Sequence, residues 1–281
     1  TLARFQTVIV LTNQLSKERG CIRTSNAVKP VCVDDVDSAK ALDEIEKYTF
    51  KQSSFSISSP HWVTYIRAQL ETQFDPQTIY RSGFKVYTTL DPNLQNQAEK
   101  LVKSQVQALA AQKVTGGALV AIRPSTGEIL SMVGSPDFYG GKAGQINMAT
   151  SPRQPGSAIK PLTYVAAFEK GWNPATVIWD VASEFPPSGD PGDTRPPYKP
   201  TNYDLKEHGP MSVRVALANS FNIPAVKALE YVGIYDNPNN AGPDGLIAFA
   251  KRLGITTFTR PDYGLALTLG GGEVTLLELT S

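Results

Sequence analysis

The sequence predicts an α+β fold, an antiparallel sheet packed with helices, and three observations carry that expectation. Two runs rich in strand-forming residues, 117–122 (GALVAI) and 128–133 (EILSMV), flank Arg123-Pro-Ser-Thr-Gly127 and together read as an antiparallel hairpin. Helical spacing of apolar residues dominates beyond residue 135, so strands come first and helices follow. No internal repeat and no alternation of strands with helices is visible, which argues against βαβ units on a parallel sheet.

Over 1–50 the pattern is helix-like but irregular, with charged runs such as Asp34-Asp35-Val36-Asp37, and reads as a connecting region. A Ser-rich stretch over 51–60 marks a boundary. Val63, Ile66 and Leu70 then predict a short helix over 61–73. Lys85-Val-Tyr-Thr-Thr-Leu90 has strand composition, and Asp91-Pro92 ends it and opens a helix that runs to about Gln112. In the hairpin, Pro124 sets the turn and Gly127 supplies a positive φ. Further helices are expected over 157–169, 212–219, 223–231 and 243–253, with a Pro- and Gly-dense stretch over 183–203 between them. Val274, Leu276 and Leu277 begin a last helical face, and the abrupt ends at Thr1 and Ser281 read as those of a fragment.

With 41% hydrophobic and 19% charged residues the chain is that of a folded protein, long enough for one large domain or a domain with an ancillary segment. A net charge of +1 gives no global field for nucleic acid or an anionic membrane, and no apolar run is long enough to span a bilayer. Cys21 and Cys32 match neither a zinc-ligand pair nor a Cys-x-x-Cys motif. Two free thiols is the plainer reading, and a disulfide stays open for a chain facing an oxidising compartment. Of the two histidines, His61 reads as a packing residue at a helix start and His208 as a surface loop residue. Gly140-Gly-Lys-Ala lacks the arrangement of a phosphate loop, and Gly270-Gly-Gly reads as a turn. No metal and no cofactor is implied.

Chemistry is suggested first by Ser157-Ala-Ile-Lys160, where Pro155-Gly156 turn the chain so that a helix begins at or near the serine. Residues three apart share a helix face, so the lysine amine can lie beside the hydroxyl and act as its base. The serine N–H at a helix start has no intrahelical acceptor and can face a developing oxyanion. Pro161 is tolerated there, where it sacrifices at most one backbone bond. The pair is not specific by itself. Ser82-Gly-Phe-Lys85 matches it by chance, and a capping serine beside a surface lysine explains Ser157 equally well in isolation. Ser220-Phe-Asn222, between a helix-like stretch and Ile223-Pro224, lies where a hydroxyl can relay a proton and an amide can grip a peptide; alone it would read as a capping pair.

Taken in order, Ser-x-x-Lys followed by Ser-x-Asn resembles the penicillin-recognising serine enzymes. The wider pattern resembles class A penicillin-binding proteins, through Phe84-Lys-Val-Tyr-Thr-Thr-Leu-Asp-Pro-Asn-Leu-Gln95, Ile146-Asn-Met-Ala-Thr150, Arg153-Gln-Pro-Gly-Ser-Ala-Ile-Lys-Pro161, Pro200-Thr-Asn-Tyr203, Ser220-Phe-Asn-Ile-Pro-Ala-Val226 and Leu267-Thr-Leu-Gly-Gly-Gly-Glu273. Pro60-His-Trp-Val-Thr-Tyr-Ile-Arg67 resembles the stretch joining that family's glycosyltransferase and transpeptidase domains. The resemblance implies the transpeptidase fold shared with β-lactamases, incomplete at the C-terminus. Residues 1–80 would be the end of a glycosyltransferase domain with its linker, and 81–281 the transpeptidase domain. It further implies that Ser157 attacks a D-alanyl-D-alanine stem peptide, Lys160 is the base, Ser220 hands the proton to the departing D-alanine and Asn222 holds the peptide amide. The implied partners are peptidoglycan stem peptides, β-lactams and other cell-wall synthesis proteins. The implied place is the extracytoplasmic face of the bacterial cytoplasmic membrane, with an N-terminal anchor not included in this chain.

One family element, a Lys-Thr-Gly or Lys-Ser-Gly strand, is absent; Lys113-Val-Thr-Gly116 has the wrong spacing and precedes Ser157. Truncation accounts for the gap, and these residues alone are expected to turn over little or nothing. Met148 stands where relatives commonly carry arginine. Two rivals share the pattern. A serine β-lactamase needs a base for water, and no Glu-x-x-Leu-Asn-like segment follows Asn222. A non-catalytic wall scaffold or β-lactam sensor need not keep Ser157, Lys160, Ser220 and Asn222 together.

Overall fold

The computed structural model describes residues 2–21, 23, 29–49, 57–237, 239 and 242–281, and the chain forms two units, Thr1–Ser56 and Ile57–Ser281. The first holds helices α1 (Leu2–Arg19) and α2 (Asp35–Lys47), the latter capped by Asp34, whose side chain accepts from Asp37 N. Gln6 reaches Glu46, while Asn13 and Lys17 meet Asp35, so the two helices run antiparallel. Cys21 and Cys32 form a disulfide, which overturns the reading of two free thiols. The chain leaving α1 doubles back, with Val33 N donating to Ser16 Oγ at 3.0 Å, and this return is what brings the two sulfurs together. Of the Ser-rich stretch expected to mark a boundary, 51–56 lies outside the described residues.

In the second unit, α3 (Pro60–Glu71) and α4 (Pro76–Arg81) come first, α4 capped by Asp75 and not foreseen from the sequence. The strand expected over 85–90 is not formed. That stretch runs beside the hairpin and is tied to it by Thr89 Oγ1 donating to Ile129 O and Asp91 N donating to Leu130 O. Tyr87 within it is 91% exposed, so strand composition is present without a ladder to use it. α5 (Pro92–Ala108) opens at Asp91 as expected, the carboxylate accepting from Asn93 N and Leu94 N, and a 3-10 turn, Ala110–Gln112, completes its predicted length. The hairpin stands as predicted: β1 (Leu119–Ile122) pairs antiparallel with β2 (Ile129–Val133), Leu119 opposite Val133, with Gly127 at φ 75° in the turn.

Gln95 joins helix to sheet. Almost fully buried on α5, its Oε1 accepts from Ser131 Oγ (2.8 Å) and Met132 N (2.9 Å), and its Nε2 donates to Met132 O (3.0 Å). One side-chain amide thus serves both backbone groups of a β2 residue as a neighbouring strand would.

The helical half is built on α6 (Lys160–Glu169), α7 (Val213–Ala218), α8 (Asn222–Val232) and α9 (Leu246–Arg252), close to the expected positions. With a 3-10 turn at Leu265–Leu269 they bury the main core, including Ile159, Val226, Leu229, Leu246 and Leu265. A second two-stranded sheet, β3 (Val177–Asp180) antiparallel to β4 (Gly209–Ser212), was not predicted. Pro210 lies within β4, where proline is tolerated because the strand need not donate there. Burial alternates along β3, so Ile178 and Asp180 point inward while Val177 and Trp179 face out. A closing α10 (Leu276–Thr280) carries a capping box between Thr275 and Glu278. Helices on short antiparallel sheets are the α+β architecture expected.

Replacing Gln95 with methionine keeps the volume but strands Ser131 and both backbone groups of Met132. The chain is expected to lose roughly 3 kcal/mol in chemical denaturation.

Candidate active site

Ser157 lies in a 3-10 turn, Gly156–Ile159, that runs directly into α6, with Pro161 in the first helical turn. The helix therefore starts at the serine, as expected, but tightly wound. Ser157 is exposed, its N–H has no backbone acceptor and its Oγ has no partner among the described residues. The segment in front of it is sewn to the glycine-rich loop. Arg153 and Val274 exchange two backbone hydrogen bonds of 2.9 Å, and buried Thr163 and Thr268 join their hydroxyls at 2.8 Å. A Cβ on Gly270 would stand 2.4 Å from Gly156 N, so Gly270-Gly-Gly is a packing surface beneath the serine as well as a turn.

Lys160 is 1% exposed. Its Nζ donates to Ser220 O (2.5 Å), Asn222 Oδ1 (2.7 Å) and Ser220 Oγ (3.1 Å). Three acceptors favour the ammonium and burial opposes it; burial prevails and lowers the pKa to about 8. At neutral pH about a tenth of the molecules then carry a neutral amine.

The acceptors come from the junction of α7 and α8. Ser220 sits at φ 55°, a left-handed conformation that costs a non-glycine residue about 1–2 kcal/mol. Ser220 N donates to Leu217 O and Phe221 N to Ala216 O, closing the turn, and the carbonyl and hydroxyl of Ser220 both reach Lys160. Asn222 opens α8. Its Nδ2 donates to Thr201 O and its backbone N–H to Asn202 Oδ1, each at 2.7 Å.

Lys160, Ser220 and Asn222 are thus brought together, and Ser157 stands one turn before Lys160 without a hydrogen bond to it. His61 is buried at the start of α3, its Nε2 2.9 Å from Ser135 Oγ and its ring edge-on to Phe138, the packing role expected. His208 is the exposed loop residue expected, and it is also tied down: its Nδ1 lies 2.6 Å from Oδ2 of fully buried Asp180 and its Nε2 3.1 Å from Asp204. Asp180 and Asn202 were missed as site residues; the stretch Pro200-Thr-Asn-Tyr203 was the available signal, without a role attached. A separate cleft of about 600 Å³, lined in part by Gln154, Arg260 and Glu273, adjoins the glycine-rich loop.

Residues 117–271 match the family model described as penicillin binding protein transpeptidase domain. The chain is 31% identical over 238 residues to penicillin-binding protein 2D of Bacillus subtilis, covering 82% of this chain and 32% of that protein. It is 39% identical over 166 residues to penicillin-binding protein 1A of Aquifex aeolicus, covering 59% and 20%. The chain therefore spans about a third or less of these relatives. Among solved structures it is similar in fold to penicillin-binding protein 1A from Haemophilus influenzae (TM-score 0.60, 19% identity, 99% of this chain and 51% of that one). It is likewise similar to PonA1 from Mycobacterium tuberculosis in complex with penicillin V (TM-score 0.59, 23% identity, 79% and 57%).

The left-handed turn yields a test that needs no activity. Ser220→Ala and Ser220→Gly both lose the hydroxyl, but only glycine relieves the backbone, so Ser220→Gly is expected to be the more stable by about 1 kcal/mol in urea titration.

Proposed function

Because the chain belongs to the penicillin-binding protein transpeptidase family, we propose that it carries the nucleophilic site of a class A serine acyltransferase that cross-links peptidoglycan stem peptides. Ser157 Oγ attacks the carbonyl between the two terminal D-alanines and gives its proton to neutral Lys160 Nζ. The oxyanion faces the free N–H of Ser157. Ser220 Oγ, hydrogen-bonded to Lys160, passes the proton to the departing D-alanine amine, while the Asn222 amide holds the peptide. The amine of a second stem peptide then takes the acyl group from Ser157. A β-lactam acylates the same serine. The observation that carries this reading is the buried Lys160, held by both ends of Ser220-Phe-Asn222 and lowered into the range where a base works near neutral pH.

We assign 1–80 to the end of a glycosyltransferase domain and its linker and 81–281 to the transpeptidase domain; the division of the chain into two units falls within the first span. The Cys21–Cys32 disulfide supports a place outside the cytoplasmic membrane, where such bonds persist. Among the described residues no helix is long and apolar enough to cross a membrane.

The test is acylation by a fluorescent penicillin, using the protein expressed from its whole coding sequence, followed by peptide mapping. One label is expected, at Ser157 and absent from Ser157→Ala. Its rate should climb about tenfold per pH unit below 8 and level above it, as Lys160 loses its proton. A label on another residue, or equal labelling of Ser157→Ala, contradicts the assignment.

A further inference from the structure

We propose that Asn202, anchored by the buried Asp180 carboxylate and flanked by His208, is a positioning residue that holds the Ser220–Asn222 turn against Lys160 without touching substrate. What the turn is for rests on the functional reading above; that it must be held follows from geometry. Asn202 is 2% exposed, and its amide is fully used. Oδ1 accepts the Asn222 N–H at 2.7 Å, and Nδ2 donates to Asp180 Oδ1 (2.9 Å), Asp180 Oδ2 (2.8 Å) and Lys206 O (2.8 Å). The N-cap of α8 is Phe221, which has no side chain able to cap, so the acceptor that the first helical turn needs is supplied from another loop.

Asp180 points inward from β3 and is fully buried, a costly place for a carboxylate unless its oxygens are bonded. Besides Asn202 it accepts from His208 N at 3.1 Å and lies 2.6 Å from His208 Nδ1. The His208 ring in turn stacks on Phe221, the middle residue of the turn, with ring centroids 4.0 Å apart at 23°. One buried carboxylate thereby grips the turn twice, through Asn202 at the Asn222 backbone and through His208 at the Phe221 ring. The grip answers a definite load. Ser220 is in a disfavoured left-handed conformation, and a turn free to relax would carry its carbonyl and hydroxyl away from the ammonium they accept from.

The experiment follows the Cε resonance of Lys160 against pH in the 281-residue chain labelled at lysine, with the signal assigned by Lys160→Arg. In Asn202→Ala the Lys160 midpoint is expected to rise by about one unit or more toward that of an ordinary lysine, because water entering the loosened site relieves the burial that holds it down by more than the weakened acceptors lower it. His208→Ala, at an exposed loop position where Asp180 keeps its bonds from Asn202 and from the His208 backbone N–H, is expected to move it the same way by less. A residue that merely packs would lower the melting temperature and leave the midpoint in place. An unmoved midpoint in folded Asn202→Ala overturns the proposal; if that variant does not fold, an unmoved midpoint in His208→Ala does so. A parent chain whose Lys160 titrates like the surface lysines would instead overturn the reading of the site itself.

Discussion

An ammonium taken out of water costs several kcal/mol unless its donors are met, and here the burial of Lys160 constrains everything around it. Its three acceptors are not local. They come from a turn sixty residues along the chain, so α6 and the α7–α8 junction must be fixed against each other to within a hydrogen bond. Packing supplies that rigidity. Tyr164 on α6 is buried with Ile178 of β3, Val213 and Ala216 of α7, and Ala225 and Ala228 of α8, small residues that let the helices approach closely. The Thr163–Thr268 hydrogen bond then ties α6 to the 3-10 turn that leads into the glycine-rich loop.

The proposed nucleophile and base are held in different ways. Lys160 is locked, with each donor engaged, whereas Ser157 stands at a helix start with hydroxyl and N–H unengaged among the described residues and is placed through the approach of Gly156 to Gly270. In the proposed reaction a serine that meets an incoming carbonyl gains from that freedom, and a lysine that shares a proton gains from confinement. The strain at Ser220 belongs to the same division, since it is the backbone state in which one residue offers two acceptors to one amine.

What could be read from the sequence was whatever is signalled locally. The β1–β2 hairpin and the Asp91-Pro92 start of α5 were legible because their turn and cap chemistry lies next to the apolar pattern it punctuates, and the helices carrying Lys160 and Asn222 were legible from helical spacing of apolar residues. The four proposed site residues were legible from motif order, and the structure brings three of them into direct contact. Tertiary partners decided the rest. Residues 85–90 have strand composition and no ladder, β4 is a strand despite Gly209-Pro210, and Cys21 and Cys32 meet because the chain doubles back after α1. Asn202 and Asn222 lay in stretches the sequence singled out, but Asp180 had no signature and neither did the polar chain that joins the three, since its members are far apart and their linkage comes only from burial.

The most direct measurement is the stability of the folded chain as a function of pH, compared with Lys160→Met. The folded midpoint of about 8 lies below the unfolded lysine value, so the unfolded chain binds more protons between the two and the folded state gains as pH rises. Measured by denaturant titration from pH 8 to 10.5, the parent is predicted to gain about 3 kcal/mol relative to Lys160→Met. Parallel profiles for the two proteins would mean that Lys160 titrates like an exposed lysine, and the account of a confined, partly neutral base would be wrong.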